Sequence, residues 1–330
     1  MSYVIGSISP WSAPTISPLP IQPLPVPGDV SPWDKKYIQQ LTKSQIQTIQ
    51  EDSFSLFSAA QVTYFKPEQI GWLSSGQINK LSEVSWQALN ASQAKKIDAA
   101  QIGSISTALT AALSTDVIQV LTTDQIVGLI AEQLNSFGDN KITALKAEQI
   151  KKIEARDISG LQNDIVEALT SSQMMALQSA QLNAFSVSQF QAITASDISV
   201  LNKKQIQSLN SQLTQSITAS QIRFLSREDA AEFNDEQVAA LTSQQISAFT
   251  TNSIVGFGKS AIRALTTSQV GWLSHVQVKS LTSSQIGYME GADFASFSPN
   301  QMRVLTLQQI GSLKKEQVEA ITPEQAGVLT

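Results

Sequence analysis

Catalysis or metal binding needs nucleophiles, bases or metal ligands that converge, and the 330 residues hold few candidates. The chain has no cysteine, and His275 is its only histidine. Disulfides, thiolate metal sites, cysteine nucleophiles and multi-histidine metal sites are therefore excluded. We expect His275 to be exposed to solvent, and we expect neither enzymatic activity nor a cofactor.

Four aspartates stand where a repeated pattern otherwise places glutamine. The simplest interpretation is that each carboxylate begins a helix and is favoured by the positive end of the helix dipole. Weak contact with a cation is the alternative, but no Gly-Asp-rich calcium repeat accompanies them. We predict no metal site at these four residues, which are Asp157, Asp197, Asp229 and Asp293.

Six aromatic residues are candidate contacts for self-assembly. Trp72 and Trp272 lie in near-duplicate segments, 69–74 and 269–274, and each replaces a residue that is small in most repeats. The alternative is repeat drift, with each indole packed on its own neighbouring turn. We predict contact surfaces for a neighbour or for the N-terminal segment at Trp11, Trp33, Tyr64, Trp72, Trp272 and Tyr288.

The element that must position these residues is an eight-residue repeat, the octad, which begins at Asp34. In 37 octads, 72 of the 74 residues at octad positions 5 and 8 are apolar, and no insertion breaks the register. The exceptions are Thr110 and Thr214. Position 1 is Ser, Thr, Asn or Asp in 26 octads, and position 4 is Gln in 23. This spacing is typical of a capping box at the start of a helix. A glutamine ladder between stacked turns is the alternative for position 4.

A single long helix would rotate the apolar pair by about 80° in each octad and bury nothing. A β-solenoid would need apolar residues at i and i+2 rather than at i and i+3. The repeat therefore predicts an all-α solenoid of very short capped helices over residues 34–330. Leu177 is expected in its core, and small residues at position 7 are expected where turns pack closely.

Residues 1–33 hold eight prolines and many aliphatic residues, a composition that predicts an extended polyproline II arm. A disordered leader or linker is the alternative. Because the segment is apolar, we expect it to dock, either along its own solenoid or on a neighbouring subunit, and we favour the neighbour.

The octads resemble the Leu-Thr-x-x-Gln-Ile/Val-x-x-Leu repeat arrays of large secreted or surface proteins of Gram-negative bacteria. The segments 121–126, 241–246 and 281–286 carry the match. The resemblance implies a bacterial protein at the cell surface or outside the cell. The N-terminus lacks a standard signal peptide, so another export route is expected, and a cytoplasmic location stays open.

Charge and hydropathy limit the partners of the chain. A formal net charge of −5 disfavours nucleic acid, which requires a basic face, and no stretch is long and apolar enough to insert in a membrane. We expect a structural protein that assembles head to tail with copies of itself into a filament or array. The alternative is a monomeric repeat scaffold, such as a secreted effector or adhesin module, that binds peptide or glycan.

Overall fold

The computed structural model describes residues 29–329, and within that range every regular element is a short helix. The expected all-α solenoid of very short helices is therefore confirmed. Most of the Pro-rich arm, residues 1–28, lies outside the described residues. The boundary between residues 33 and 34 stays a prediction.

The helices follow one another at intervals of about one octad. In chain order they are α1 Lys35–Gln40, α2 Lys43–Thr48, a 3₁₀ helix Glu51–Leu56, α3 Ala59–Tyr64, α4 Pro67–Ile70, α5 Ser75–Asn79, α6 Glu83–Gln87, α7 Ala91–Ala94, α8 Ala99–Ser104, α9 Thr107–Ala112, α10 Thr115–Ile118, α11 Thr123–Gly128, α12 Ala131–Ser136, α13 Gly138–Ile142, α14 Ala147–Ile150, α15 Ala155–Ser159, α16 Asn163–Glu167, α17 Ser171–Ala176, α18 Ser179–Leu182, α19 Val187–Ala192, α20 Ala195–Ile198, α21 Lys203–Ser208, α22 Ser211–Ser216, α23 Ala219–Phe224, α24 Arg227–Ala231, α25 Asp235–Ala240, α26 Ser243–Ala248, α27 Thr251–Ile254, α28 Lys259–Ala264, α29 Thr267–Gly271, α30 His275–Ser280, α31 Ser283–Tyr288, α32 Gly291–Ala295, α33 Pro299–Arg303, α34 Leu307–Ile310, α35 Lys315–Glu319 and α36 Pro323–Ala326.

Octad position 1 precedes most of the helices, and position 8 follows many of them directly. At α2, the Thr42 side chain accepts a hydrogen bond from the backbone N–H of Gln45, and the Gln45 side chain accepts one from the N–H of Thr42. The helix ends at Thr48 and is followed by Ile49, whose extended backbone (φ −63°, ψ 128°) turns the chain toward the next cap. A helix this short is unstable alone, so its stability must come from packing against other turns.

The apolar residues at positions 5 and 8 form one continuous core through the solenoid, and Leu177 is buried there as expected. The two threonines at position 5 are buried as well. Their hydroxyl groups donate to backbone carbonyls of their own helices, Thr110 to Ser106 and Thr214 to Asn210, both at 2.9 Å. This internal hydrogen bond lets a polar side chain occupy a core position.

Most helices pack against the helix three octads further along the chain. Small residues permit the closest approaches, as expected for position 7. A Cβ atom on Gly128 would lie 2.3 Å from the carbonyl oxygen of Ala99, and one on Gly256 would lie 2.0 Å from that of Arg227. With roughly 8–10 Å between stacked helices, the roughly ten turns form a rod about 80–100 Å long.

Turns are joined through side chains, because every backbone–backbone hydrogen bond outside the helices of residues 29–329 links residues at most four apart. The position-4 glutamines make the connection. Gln69 Oε1 accepts from the N–H of Lys66, while its Nε2 donates to the carbonyl oxygens of Ile38 at 2.8 Å and Leu41 at 3.0 Å, four octads earlier. We call this arrangement the glutamine bridge.

The bridge repeats through the solenoid. All 23 position-4 glutamines accept the N–H of residue 1 of their own octad. From Gln61 onward, all 22 also donate to at least one carbonyl four octads back. The capping interpretation of the glutamine column is therefore correct. The same amide also links two turns, but through backbone carbonyls rather than through a ladder of glutamine side chains. A turn holds between three and four octads.

Two other polar residues at position 4 also reach the earlier turn. Ser85 Oγ donates to the carbonyl oxygen of Phe57 at 2.6 Å, and Lys141 Nζ donates to that of Ala111.

A second device accompanies the bulkiest aliphatic residues at position 4, which are Leu109, Ile165 and Leu213. In each case an asparagine lies 30 residues earlier, at Asn79, Asn135 or Asn183, and these are the only asparagines at octad position 6. Its Oδ1 accepts the N–H of the cap residue that has lost its glutamine, at 2.8–2.9 Å, and its Nδ2 donates to a carbonyl two residues before that cap.

Replacing one bridging glutamine with leucine should destabilise the two turns that it links. Gln189 accepts from the N–H of Ser186 and donates to the carbonyls of Ile158 and Leu161. Gln189→Leu should lower the local free energy of unfolding by about 2–4 kcal/mol, because buried backbone groups lose their partners. Hydrogen exchange of the adjoining octads measures this loss. The exposed control Gln191→Leu should change it by less than about 0.5 kcal/mol; equal effects would refute the bridge.

The asparagine device should be transferable. Position 159 stands 30 residues before position 189, so Ser159→Asn should supply an acceptor for the N–H of Ser186 in the Gln189→Leu variant. We expect it to restore about 1 kcal/mol of the lost local stability. In a chain that keeps Gln189, Ser159→Asn should leave the local free energy of unfolding unchanged, because Gln189 already accepts from the N–H of Ser186. A double-mutant cycle measured by hydrogen exchange tests this prediction. If the asparagine does not replace the lost acceptor, the effects of the two substitutions on local stability will be additive.

Candidate self-assembly surfaces

The N-terminal end of the described solenoid is closed by aromatic packing. Val30 and Trp33 are buried, take the places of octad positions 5 and 8, and accept hydrogen bonds from Gln61 Nε2 at 2.7 and 3.1 Å. The Trp33 ring packs edge-on against Tyr37 and Phe57, with centroids 5.0 and 5.6 Å away. Trp33, a predicted assembly contact, is therefore enclosed by its own chain.

At the other end, core positions lose their cover. Ile310, Leu313, Ile321 and Leu329 are only partly buried, and Val318 is 52% exposed, although residues at the same octad positions elsewhere are buried. These five residues, which we call the C-terminal edge, occupy positions 5 and 8.

The remaining predicted aromatic contacts lie on different turns. Tyr64 and Trp72 are half-buried against the core in consecutive octads near the N-terminal end. Trp272 is 40% exposed near the other end, and Tyr288 is half-buried there with Lys259 Nζ 6.0 Å from its ring centroid. Tyr64, Trp72 and Tyr288 are thus partly covered by packing on the chain's own turns, and Trp272 is the most exposed of the four. Trp11 lies outside the described residues.

Sequence reasoning missed several exposed apolar side chains. Leu56 is 57% exposed and Phe224 is 56% exposed, both at position 7, and Val276 lies on the surface four residues after Trp272. The signal was present in the repeat, because a large apolar residue at a position that is usually small or polar has no core to enter.

The four aspartates at position 4 differ from one another. Asp229 Oδ2 accepts the N–H of Ser226 at 2.8 Å and completes a capping box. Asp197 accepts from the hydroxyl groups of Ser171 and Thr194. Asp157 is 5% exposed, and its Oδ2 lies 3.6 Å from Arg156 Nε with no hydrogen-bond partner. Burial raises the pKa of Asp157 and of Asp293 above the ordinary value, because a buried carboxylate loses hydration.

Other candidate chemistry stays dispersed. His275 is exposed, as expected. Among residues 29–329, no three His, Asp or Glu side chains are grouped to hold a metal ion. Within the same range, none of the helices has the length and hydropathy required to span a bilayer.

Comparison with known proteins finds a repeat of the same kind. A family model described as the ALTTAQ repeat matches residues 238–275. Within that range, residues 264–269 have the sequence Ala-Leu-Thr-Thr-Ser-Gln, which ends at the bridging Gln269. No curated protein matches the chain. The match supports a repeat array, and this part of the chain is similar to ALTTAQ repeats.

Replacing the buried Asp157 should stabilise the solenoid at neutral pH. The folded state holds the proton of Asp157 more tightly than the unfolded state, so stability rises as pH falls through the raised pKa toward 3.8. Asp157→Gln should raise Tm at pH 7 by several degrees, because the amide can bridge to the carbonyls of Ile126 and Leu129. It should also remove the gain in stability at lower pH, because an amide does not titrate. Thermal melts from pH 7 to pH 4 provide the measurement. The control Asp164→Gln, at an exposed position, should leave the rise in place; if both variants behave alike, the assignment to Asp157 fails.

Proposed function

We propose that this chain is a structural protein whose rod-shaped solenoid associates with further copies of itself into a filament or array. The observation that carries the proposal is the C-terminal edge, where partly exposed apolar residues occupy the positions that form the core elsewhere. A second copy covers this edge in the proposed assembly.

The two ends of the described rod differ, which favours head-to-tail contacts over an end paired with its like. The N-terminal turn is closed by Val30, Trp33 and Tyr37 and leaves no comparable apolar row uncovered. Contacts between unlike surfaces do not close into a ring unless the rotation permits it, and they otherwise extend into fibres. In this proposal the N-terminal part of the arm extends from the closed end onto the neighbouring subunit, while Val30 and Trp33 at its other end are buried in their own solenoid.

Low charge is compatible with dense packing of copies, since like-charged surfaces repel one another. The resemblance of the octads to repeat arrays of secreted and surface proteins of bacteria supports a location at the cell surface or outside the cell. The alternative function, a monomeric scaffold that binds peptide or glycan, is supported by the exposed Trp272 and Val276, which offer an apolar contact on the side of the rod.

Sedimentation velocity over a range of concentrations tests the proposal. The wild-type chain should form concentration-dependent oligomers. Ile321→Glu places a charge in the C-terminal edge and should weaken association at least tenfold, whereas Met175→Glu, an exposed position on the side of the rod, should not. A wild type that stays monomeric at all concentrations would overturn self-assembly and favour the scaffold. Equal association of Ile321→Glu and wild type would show that the edge is not the contact.

A further inference from the structure

A groove of about 790 Å³ runs beside the first turn of the solenoid. Pro32, Trp33, Leu56 and Tyr64 supply its apolar and aromatic walls, and Lys35 and Lys36 stand on its rim. Leu56 is 57% exposed and ends the 3₁₀ helix that replaces an α-helix in this octad. The groove is therefore a concave surface that combines apolar and aromatic side chains with polar ones, among them Asp34, Ser58 and Gln61.

We propose that this groove binds the Pro-rich segment 1–28 of the same chain. The segment holds seven prolines and no charged side chain, and its other large residues are mostly aliphatic. Proline-rich segments adopt polyproline II conformation, which carries no internal hydrogen bonds and docks on grooves lined by aromatic rings. The chemistry of the segment thus matches the chemistry of the groove.

Hydrogen-bond donors beside the groove support the same occupant. A polyproline II segment presents free backbone carbonyls at short intervals. These carbonyls would accept from the ammonium groups of Lys35 and Lys36, which line the groove and are exposed.

Position along the chain selects the chain's own segment over that of another copy. Ser31 and Pro32 line the groove, so residue 28, the last residue of the segment, is only three residues away along the chain. Such a short tether gives an effective concentration of about millimolar or more, which a free partner rarely reaches. The groove covers only part of a 28-residue segment, whose extended length is roughly 90 Å. The part distant from residue 28 stays free for a neighbour, so this inference does not depend on self-assembly.

Photo-crosslinking in the full-length chain tests this placement. Leu24→p-benzoylphenylalanine should crosslink chiefly to residues 51–66, which include Leu56 and Tyr64. In an equal mixture of ¹⁴N- and ¹⁵N-labelled chains, the two peptides of each crosslinked pair should carry the same isotope, because the crosslink forms within one chain. Leu56→Ser should lower the yield severalfold. Phe224→Ser should not, although Phe224 has the same octad position and the same exposure.

Each other result counts against the proposal. Crosslinks spread over the surface, or concentrated elsewhere, would overturn the groove as the docking site. Mixed-isotope crosslinks to residues 51–66 would assign the groove to the segment of another copy and overturn the choice of occupant. Because Leu56 is largely exposed, its replacement should leave the thermal melt unchanged. A yield unaffected by Leu56→Ser in a normally folded protein would overturn the contact itself.

Discussion

The structure depends on a buried carboxamide that satisfies three hydrogen bonds at once. Glutamine at octad position 4 accepts from the backbone at the start of its own helix and donates to two carbonyls four octads earlier, as Gln93 does with Asn90, Val62 and Phe65. Burying an amide without partners is costly, so each glutamine is stable in one stacking register only. Apolar side chains supply most of the favourable energy, but they tolerate displacement better than a directed hydrogen bond.

Because turns are linked by side chains, the connection between them can be altered one residue at a time. A β-solenoid joins its coils through backbone groups that every residue possesses. Here a single replacement at position 4 removes a link or substitutes another, as Ser85 and Lys141 illustrate. The asparagines that accompany Leu109, Ile165 and Leu213 show that a lost cap acceptor is replaced from the turn below.

The same construction concentrates distinctive chemistry at the ends and on the outer surface. The residues at positions 5 and 8 form the core, and the glutamines at position 4 form the bridges. Variation is left to positions 2, 3, 6 and 7, where Leu307, Val276, Met175 and Phe224 are exposed. The structural role that we propose suits a molecule of this kind, since apolar side chains are exposed at the edge near residue 321 and at the groove near residue 56.

The amino-acid sequence by itself determined the repeat length, the short helices, their caps and the core positions. These properties follow from local rules: a polar cap begins a helix, and two apolar residues three apart share one face. Leu177 and the position-7 glycines were placed correctly for that reason. The sequence also indicated an amide column, but left open whether the amide served its own helix or the next turn.

Tertiary structure alone decided that it serves both, because the carbonyls it bonds lie 28 and 31 residues away and belong to another turn. The burial of Trp33 and the raised pKa of Asp157 were likewise beyond the sequence. Each depends on which octads stack, and that is fixed by the number of octads in a turn. This number results from the packing of whole turns and is written in no single repeat.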